Sequence, residues 1–350
     1  MILNKIEDCG MKKIPVQDAI GSILCHDITQ IIPGVIKDRA FKKGHIISEE
    51  DIPMLLSLGK DHIYVWEKRE GLLHEDEAAQ RLRKLATGEG LIFSEVKEGK
   101  INFIAEGDGL LKINRALLYK LNLIEEIILA TLHNNHPVKK GQKVGGVRII
   151  PLLIEEEKIK KAEELIGKEK IMKVAPFIPI KVGIITTGNE VYYGRIKDAF
   201  GPVIRKKVEA YDCEVLGQMI VPDDPEKIRS GIERWIDEGA EMVICTGGMS
   251  VDPDDVTPTA IKKAGAAIVT YGVPVLPGAM FLLAYKGNIP VLGLPACAMY
   301  SKITVFDLML PRILIKDKIT YEDIVAYGHG GFCMECEECR FPDCTFGKGV

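Results

Sequence analysis

The chain has 350 residues, enough for two or three domains with cores of their own. Apolar residues make up 47% and charged residues 27%, as in an ordinary soluble globular protein, and a net charge of −4 gives no electrostatic footing for nucleic acid. No apolar run reaches the roughly 18 residues of a spanning helix, and the opening MILNKIEDCGMKKIPV has no signal-peptide core, so a cytoplasmic location away from membranes is expected.

Residues 13–28 predict a short strand, a helix start and a second strand. Ser48 with Asp51 can cap a helix carrying Ile52, Leu55, Leu56 and Leu58; Gly59 ends it, and 62–66 reads as a strand. Residues 72–154 mix a helix over 75–86, a strand over 101–106, a Leu-rich helix near 114–122, a strand over 126–132 and a turn between strands over 138–154. His133 and His136 could serve as metal ligands, but they fall in what reads as a polar turn. A charged helix over 155–170 has Glu and Lys at three- and four-residue spacing; it suits a solvated face and is expected to bridge domains.

From about residue 175 the pattern becomes β-α-β-α-β-α. Strands over 180–188, 214–221 and 241–247 alternate with helices over 201–211, 225–239 and 257–265. Two shorter strands, 280–286 and 289–294, and a final helix over 296–313 follow. The strands are apolar throughout, as buried parallel strands are. The expected class is α/β, a doubly wound, mostly parallel sheet, with an N-terminal α+β, β-rich region and a short Cys-rich tail. The expected division is 1–70, an α+β insertion over 71–172, the α/β domain over 173–316, and a linker with the tail over 317–350.

In such a sheet ligands bind outside the carboxyl ends of the strands. Three loops are expected there: TTGNEVYYGRIKD (186–198), TGGMSVDPDDVTP (246–258) and GLPACAMYS (293–301). Gly247 and Gly248 let backbone N–H groups approach an anion, and the following helix points its N-terminus at the same spot. Asp254 and Asp255 would repel a phosphate directly, but they can hold Mg²⁺ that bridges to it. The same residues also serve as a tight turn and an N-cap; three polar, glycine-bearing loops at one edge favour a site. Neither a G-x-G-x-x-G after a strand nor a P-loop with Lys is present.

Residues 176–313 resemble the molybdopterin-binding domain of molybdenum-cofactor biosynthesis enzymes. The resemblance rests on the TTGNE loop, Asp198 before a Gly-Pro helix start, the TGG loop with its Asp-Val-Thr-Pro, and the Gly-Leu-Pro loop. Residues 13–67 resemble part of the molybdopterin molybdenumtransferase family, so 1–70 is read as an insertase-like segment. The resemblance implies binding of molybdopterin, or its adenylylated form, with Mg²⁺ and molybdate as molybdenum is inserted. It implies that Thr187, Gly188, Asn189 and Glu190 line one side of the ligand. Thr246, Gly247, Gly248, Ser250 and Asp255 would form the phosphate and metal loop, and Pro295 the third wall. Asp198 and Asp255 would be the catalytic carboxylates, with Asp254 a second Mg²⁺ ligand. It also implies a homo-oligomer in which one subunit's N-terminal part faces another's cofactor domain. The chain departs from the family where 31–40 stands near the place of an Asn-Ser-Ala-Met-Asp-Gly loop. Ala296-Cys297-Ala298 replaces Gly-Asn-Pro, and Asn189 stands where Asp is expected. No counterpart of the family's C-terminal β domain is found, and residues 70–170 separate the matching segments.

Cys333, Cys336, Cys339 and Cys344 have the spacing C-x2-C-x2-C-x4-C. Disulfides are disfavoured in a reducing cytosol, and four close thiolates suit Zn²⁺ or an iron–sulfur cluster. The segment looks Gly-flanked and floppy, so metal binding is expected to order it. His329 reads as a surface histidine that could substitute as a ligand. Two rival functions stand beside the insertase reading. One is a non-catalytic cofactor carrier or sensor serving molybdoenzyme maturation proteins; the other is a nucleotide pyrophosphatase or amidase, because the same domain occurs in the competence/damage-inducible protein family.

Overall fold

The computed structural model describes residues 11–32, 36–66, 71–250, 252–253 and 255–349. They form two compact units: one of residues 1–104, 114–131 and 143–172, the other of 105–113, 132–142 and 173–350.

In the first unit, strand Met11–Pro15 pairs antiparallel with His62–Trp66 beside a core of Val16, Leu24, Ile28, Phe41, Ile47, Leu55 and Ile63. Asp51 Oδ2 accepts from Ser48 N at 2.8 Å, and helix Ile52–Ser57 follows, ended by Gly59 at φ 72°. Strands Leu91–Phe93, Ile101–Ala105, Lys143–Ile149 and Ile127–Thr131 make a four-stranded sheet beside helix Glu75–Ala86. Helix Glu156–Ile166 does not bridge domains. Its Ile159, Ala162 and Ile166 share one face and are buried, and Arg81 of the neighbouring helix donates to Glu156 at 2.8 Å. The charges that dominate its sequence cover an apolar stripe that belongs to this unit's core.

The second unit is built on a six-stranded sheet. Its strands are β1 (Lys181–Thr187), β2 (Glu214–Val221), β3 (Met242–Thr246), β4 (Ala267–Tyr271), β5 (Leu282–Lys286) and β6 (Ile289–Leu294), in the order β2-β1-β3-β6-β5-β4. The first four in that order are parallel; β5 alone is reversed, pairing antiparallel with β6 on one side and β4 on the other. Strand β4 has no counterpart among the expected strands. Side chains alternate between two cores. Ile184, Ile244 and Leu292 face α1 (Phe200–Glu209) and α4 (Val305–Leu314); Ile185, Val243 and Val291 face α2 (Pro225–Asp237) and α3 (Thr257–Lys263). Both faces are therefore covered, which is why the strands lack polar alternation. The helix expected over 296–313 is broken into Cys297–Tyr300 and α4, because Thr304 caps α4 by accepting from Phe306 N at 3.2 Å.

Trp235 of α2 lies over Gly183 and Gly217, which are paired in register on β1 and β2, and a Cβ at Gly183 would collide with its ring. Its Nε1–H donates to Ile184 O at 3.1 Å in a buried setting. Trp235→Phe removes that donor and part of the ring, so a loss of about 1–3 kcal/mol is expected in urea unfolding, with the m-value unchanged.

Strand Gly109–Ile113 pairs between His136–Val138 and Met172–Pro176 as a small sheet. The expected polar turn at His136 is thus strand, and His136 is 4% exposed. The C-terminal tail is not floppy. Leu276 N donates to Gly331 O, and Cys333 N donates to Leu276 O, each at 2.8 Å. Tyr327 and Phe346 are buried in the core below β1, and Lys348 Nζ meets His136 Nδ1 at 2.7 Å. Aromatic side chains and backbone hydrogen bonds dock the segment on the core.

Burial, then the Lys348 ammonium, holds His136 down to about 4. Its free value near 6.5 means that, with the tail detached, His136 gains a proton first as pH falls. Stability contributed by the neutral imidazole is full above pH 6.5 and is lost between about 6.5 and 4. We expect limited proteolysis of the tail to accelerate across that window, and His136→Asn to flatten the dependence.

Candidate active site at the carboxyl edge

Strand β1 has β2 on one side and β3 on the other, so the chain reverses direction of travel at β1 and leaves a crevice between the ends of β1 and β3. The TTG and TGG loops flank that crevice. Beneath them lies a floor of buried threonines: Thr186, Thr187, Thr246 and Thr257 are each 2% exposed or less. Thr257 Oγ1 donates to Gly247 O at 2.9 Å and stands 3.5 Å from Thr187 Oγ1; Thr246 Oγ1 stands 3.3 Å from Thr186 Oγ1. A hydroxyl can donate and accept at once, so these side chains tie the two loops together without a charge.

The glycines are required by fit. Gly188, Gly247 and Gly248 have φ of 140°, 86° and 56°. A Cβ on Gly247 would collide with Thr187 O, and one on Gly248 would lie 2.8 Å from Thr257 Oγ1. Left-handed backbone of this kind is what anion-binding concavities are made from.

Asp198 accepts from Phe200 N and Gly201 N at 2.9 Å each and from Gln218 Nε2 at 2.7 Å. It therefore fastens the start of α1. Gln218 also donates to Thr186 Oγ1 at 2.8 Å, so Asp198 reaches the threonine floor through one amide. Asn189 N donates to Asp223 Oδ2 at 2.9 Å, locking the TTG loop to the loop after β2. Glu190 is exposed, and its carboxylate folds back against Gly188.

Asp255 Oδ2 accepts from Asp252 N at 3.0 Å, closing a turn ahead of α3. Tyr271, at the end of β4, donates to Met249 O at 3.1 Å and approaches Ser250 O at 3.0 Å. Burial and then the Asp255 carboxylate raise the Tyr271 phenol above its usual range. Asp254 lies outside the described residues. Among the described residues, no three His, Cys, Asp or Glu side chains form a group that could hold a metal. Mg²⁺ does not need one: it is commonly held by one or two carboxylates, several waters and substrate phosphates. Asp255, with one oxygen in the turn, fits that demand. Pro295 is half-buried and its carbonyl accepts from Ala298 N at 3.0 Å, starting helix Cys297–Tyr300 just past the carboxyl end of β6. Burial raises the Cys297 thiol.

The structure thus gathers Thr187, Gly188, Asn189 and Glu190 with Thr246, Gly247, Gly248, Ser250 and Asp255 into two facing loops, and Asp198 behind them. Three supporting residues outside the quoted loops escaped the sequence reading: Gln218, Asp223 and Tyr271. Gln218 had a signal, being the one uncharged polar side chain inside the run EVLGQMIV. A cavity of about 830 Å³, lined by residues such as Ile180, Glu241, Ala267, Tyr285 and Pro290, opens at the amino edge. It faces away from these loops and carries none of their residues.

Residues 183–314 match the family described as probable molybdopterin binding domain, and residues 13–67 match a domain of unknown function (DUF8806). The chain is 26% identical over 145 residues to the molybdopterin molybdenumtransferase of Synechococcus elongatus, covering 39% of this chain and 36% of that protein. It is 25% identical over 342 residues to a "Putative molybdopterin biosynthesis protein" of Methanocaldococcus jannaschii, covering 89% of this chain and 76% of that one. A solved molybdopterin biosynthesis enzyme, MoaB of Thermus thermophilus, aligns with 40% of this chain and 98% of its own at 22% identity and a TM-score of 0.33. The chain spans 36% and 43% of the first two curated relatives it matches. It is a homologue of the molybdopterin molybdenumtransferases and carries a domain of the molybdenum-cofactor biosynthesis type. Among the described residues no helix is long and apolar enough to cross a membrane.

Proposed function

We propose that the protein acts in molybdenum-cofactor biosynthesis, binding molybdopterin or its adenylylated form at the carboxyl edge and assisting Mg²⁺-dependent molybdenum insertion. The observation that carries this reading is the contact of the TTG and TGG loops at the switch point, where a Cβ on Gly247 has no room against Thr187. In this reading the glycine backbone binds phosphate, and Asp255, with Asp254, holds Mg²⁺. Asp198 acts through Gln218 to keep Thr186 and the loop in register. That makes it a positioning residue rather than a group touching substrate. Mg²⁺ supplies charge neutralisation at the phosphates, and the protein supplies orientation and exclusion of water. The tail is read as a second metal site, for zinc or an iron–sulfur cluster.

The test is incubation with adenylylated molybdopterin, Mg²⁺ and molybdate, followed by assay of AMP and of active cofactor. Tight binding with no AMP released favours the carrier or sensor reading, which Ala296-Cys297-Ala298 in the third loop also favours. Hydrolysis of unrelated dinucleotides favours the pyrophosphatase reading. A homo-oligomer is part of the proposal; light scattering at micromolar concentration is expected to return a multiple of 38.7 kDa.

A further inference from the structure

The TGG loop leaves the sheet after Thr246 and closes on itself at the start of α3, where Thr257 N donates to Gly248 O at 3.2 Å. Between those points Asp252 and Asp255 make their own turn, which does not by itself say where on the sheet that turn stands. The strands next to the loop supply that information.

Tyr271, Leu282, Gly293 and Cys245 stand in one row across β4, β5, β6 and β3, each paired in register with the next. Directly paired residues point to the same face, so the row is a single line of side chains. Gly293 leaves a gap in it. Met249, the residue after Gly248, fills that gap: it is 3% exposed and shares a core with Leu282 and Cys245. A Cβ on Gly293 would lie 2.5 Å from Met249 Cε and 3.2 Å from Leu282 Cβ. The end of the row takes hold of the loop's backbone. The Tyr271 hydroxyl has one proton to share between two successive carbonyls, Met249 O at 3.1 Å and Ser250 O at 3.0 Å. Met249 thus fixes the loop's place on the sheet, and Tyr271 fixes the direction of the peptide units on either side of Ser250. A hard cation with few protein ligands needs each of them in place beforehand, because ordering a loop on binding costs affinity.

We propose that Met249 and Tyr271 are positioning residues of the TGG loop: the Met249 plug over Gly293 and the Tyr271 hydroxyl on two carbonyls set where Ser250 and the Asp255 carboxylate meet the ligand. The proposal rests on the reading of this loop as the phosphate and Mg²⁺ loop, and adds the side chains that hold it. Neither touches substrate; both act through Ser250 and Asp255.

Tyr271→Phe keeps the ring and removes the hydroxyl, and Met249→Ala empties the gap over Gly293. In the full chain, amide hydrogen exchange over 250–256 is followed by mass spectrometry, beside AMP release from adenylylated molybdopterin at graded Mg²⁺. Exchange is expected to quicken about three- to tenfold in Tyr271→Phe, as loss of one hydrogen bond implies, and by more than about tenfold in Met249→Ala. The apparent KM for Mg²⁺ is expected to rise by about the same factor in each variant, with a smaller fall in kcat. A merely structural role would lower the melting temperature and leave the KM for Mg²⁺ at its native value. That outcome, or native exchange over 250–256 in both variants, overturns the proposal. A wild-type chain that releases no AMP counts against the proposed function; quickened exchange in both variants then leaves the hold on the loop standing.

Discussion

Asp255→Asn is expected to fold normally and to lose Mg²⁺-dependent turnover by about a hundredfold or more. The amide keeps an acceptor for Asp252 N, which in the native turn lies 3.0 Å from Asp255 Oδ2, so the approach to α3 survives. What disappears is a charge. A hard divalent cation gains far less from an amide oxygen than from a carboxylate, and the deficit is felt most where negative charge develops on a leaving phosphate. Pterin affinity without Mg²⁺ is expected to stay within a few-fold. Steady-state rates at limiting and saturating Mg²⁺, beside binding without metal, check both halves. Native rates at every Mg²⁺ concentration would remove Asp255 from the chemistry.

Gly247→Ala is expected to be the more damaging change. At φ 86° an alanine costs about 1–2 kcal/mol by itself, and its methyl would collide with Thr187 O, a main-chain atom that cannot swing away. The loops can relieve the collision only by parting, which opens the crevice and strains the bond from Thr257 to Gly247 O. A stability loss of about 2 kcal/mol or more is expected, with ligand affinity down more than tenfold, since each 1.4 kcal/mol is a factor of about ten. Isothermal titration with molybdopterin measures the second; native affinity would mean that the ligand does not use this loop.

Much of this architecture was legible because it is local. Helix Glu75–Ala86 was read to its ends: three acids open it, and Ala78, Ala79, Leu82 and Leu85 recur at helical spacing. The strands of the sheet centre announced themselves as unbroken apolar runs. Strand β4 did not. It is an edge strand, paired on one side only, with Ile268 and Tyr271 exposed, so its residues follow no burial rhythm. The glycines and threonines of the two loops were visible for the same local reason, as small residues at strand ends. Their supports were not. Tyr271 reaches Met249 from the missed strand, and Asp223 reaches Asn189 across 34 positions of chain. Such meetings are made by the fold alone. The docking of the tail was hidden for a related reason: Phe346 and Tyr327 enter a core that only the fold assembles.

The bay that Gly183 and Gly217 leave for Trp235 has a practical consequence. The chain contains two tryptophans, and the other is Trp66. A Trp66→Phe protein emits from a single indole that is 5% exposed and bonded to Ile184 O, two residues before the loop that begins at Thr186. Its emission belongs at the blue end of the range and shifts red when water enters. The α/β unit thus contains its own optical gauge, on a helix packed against the strand that leads into the candidate crevice.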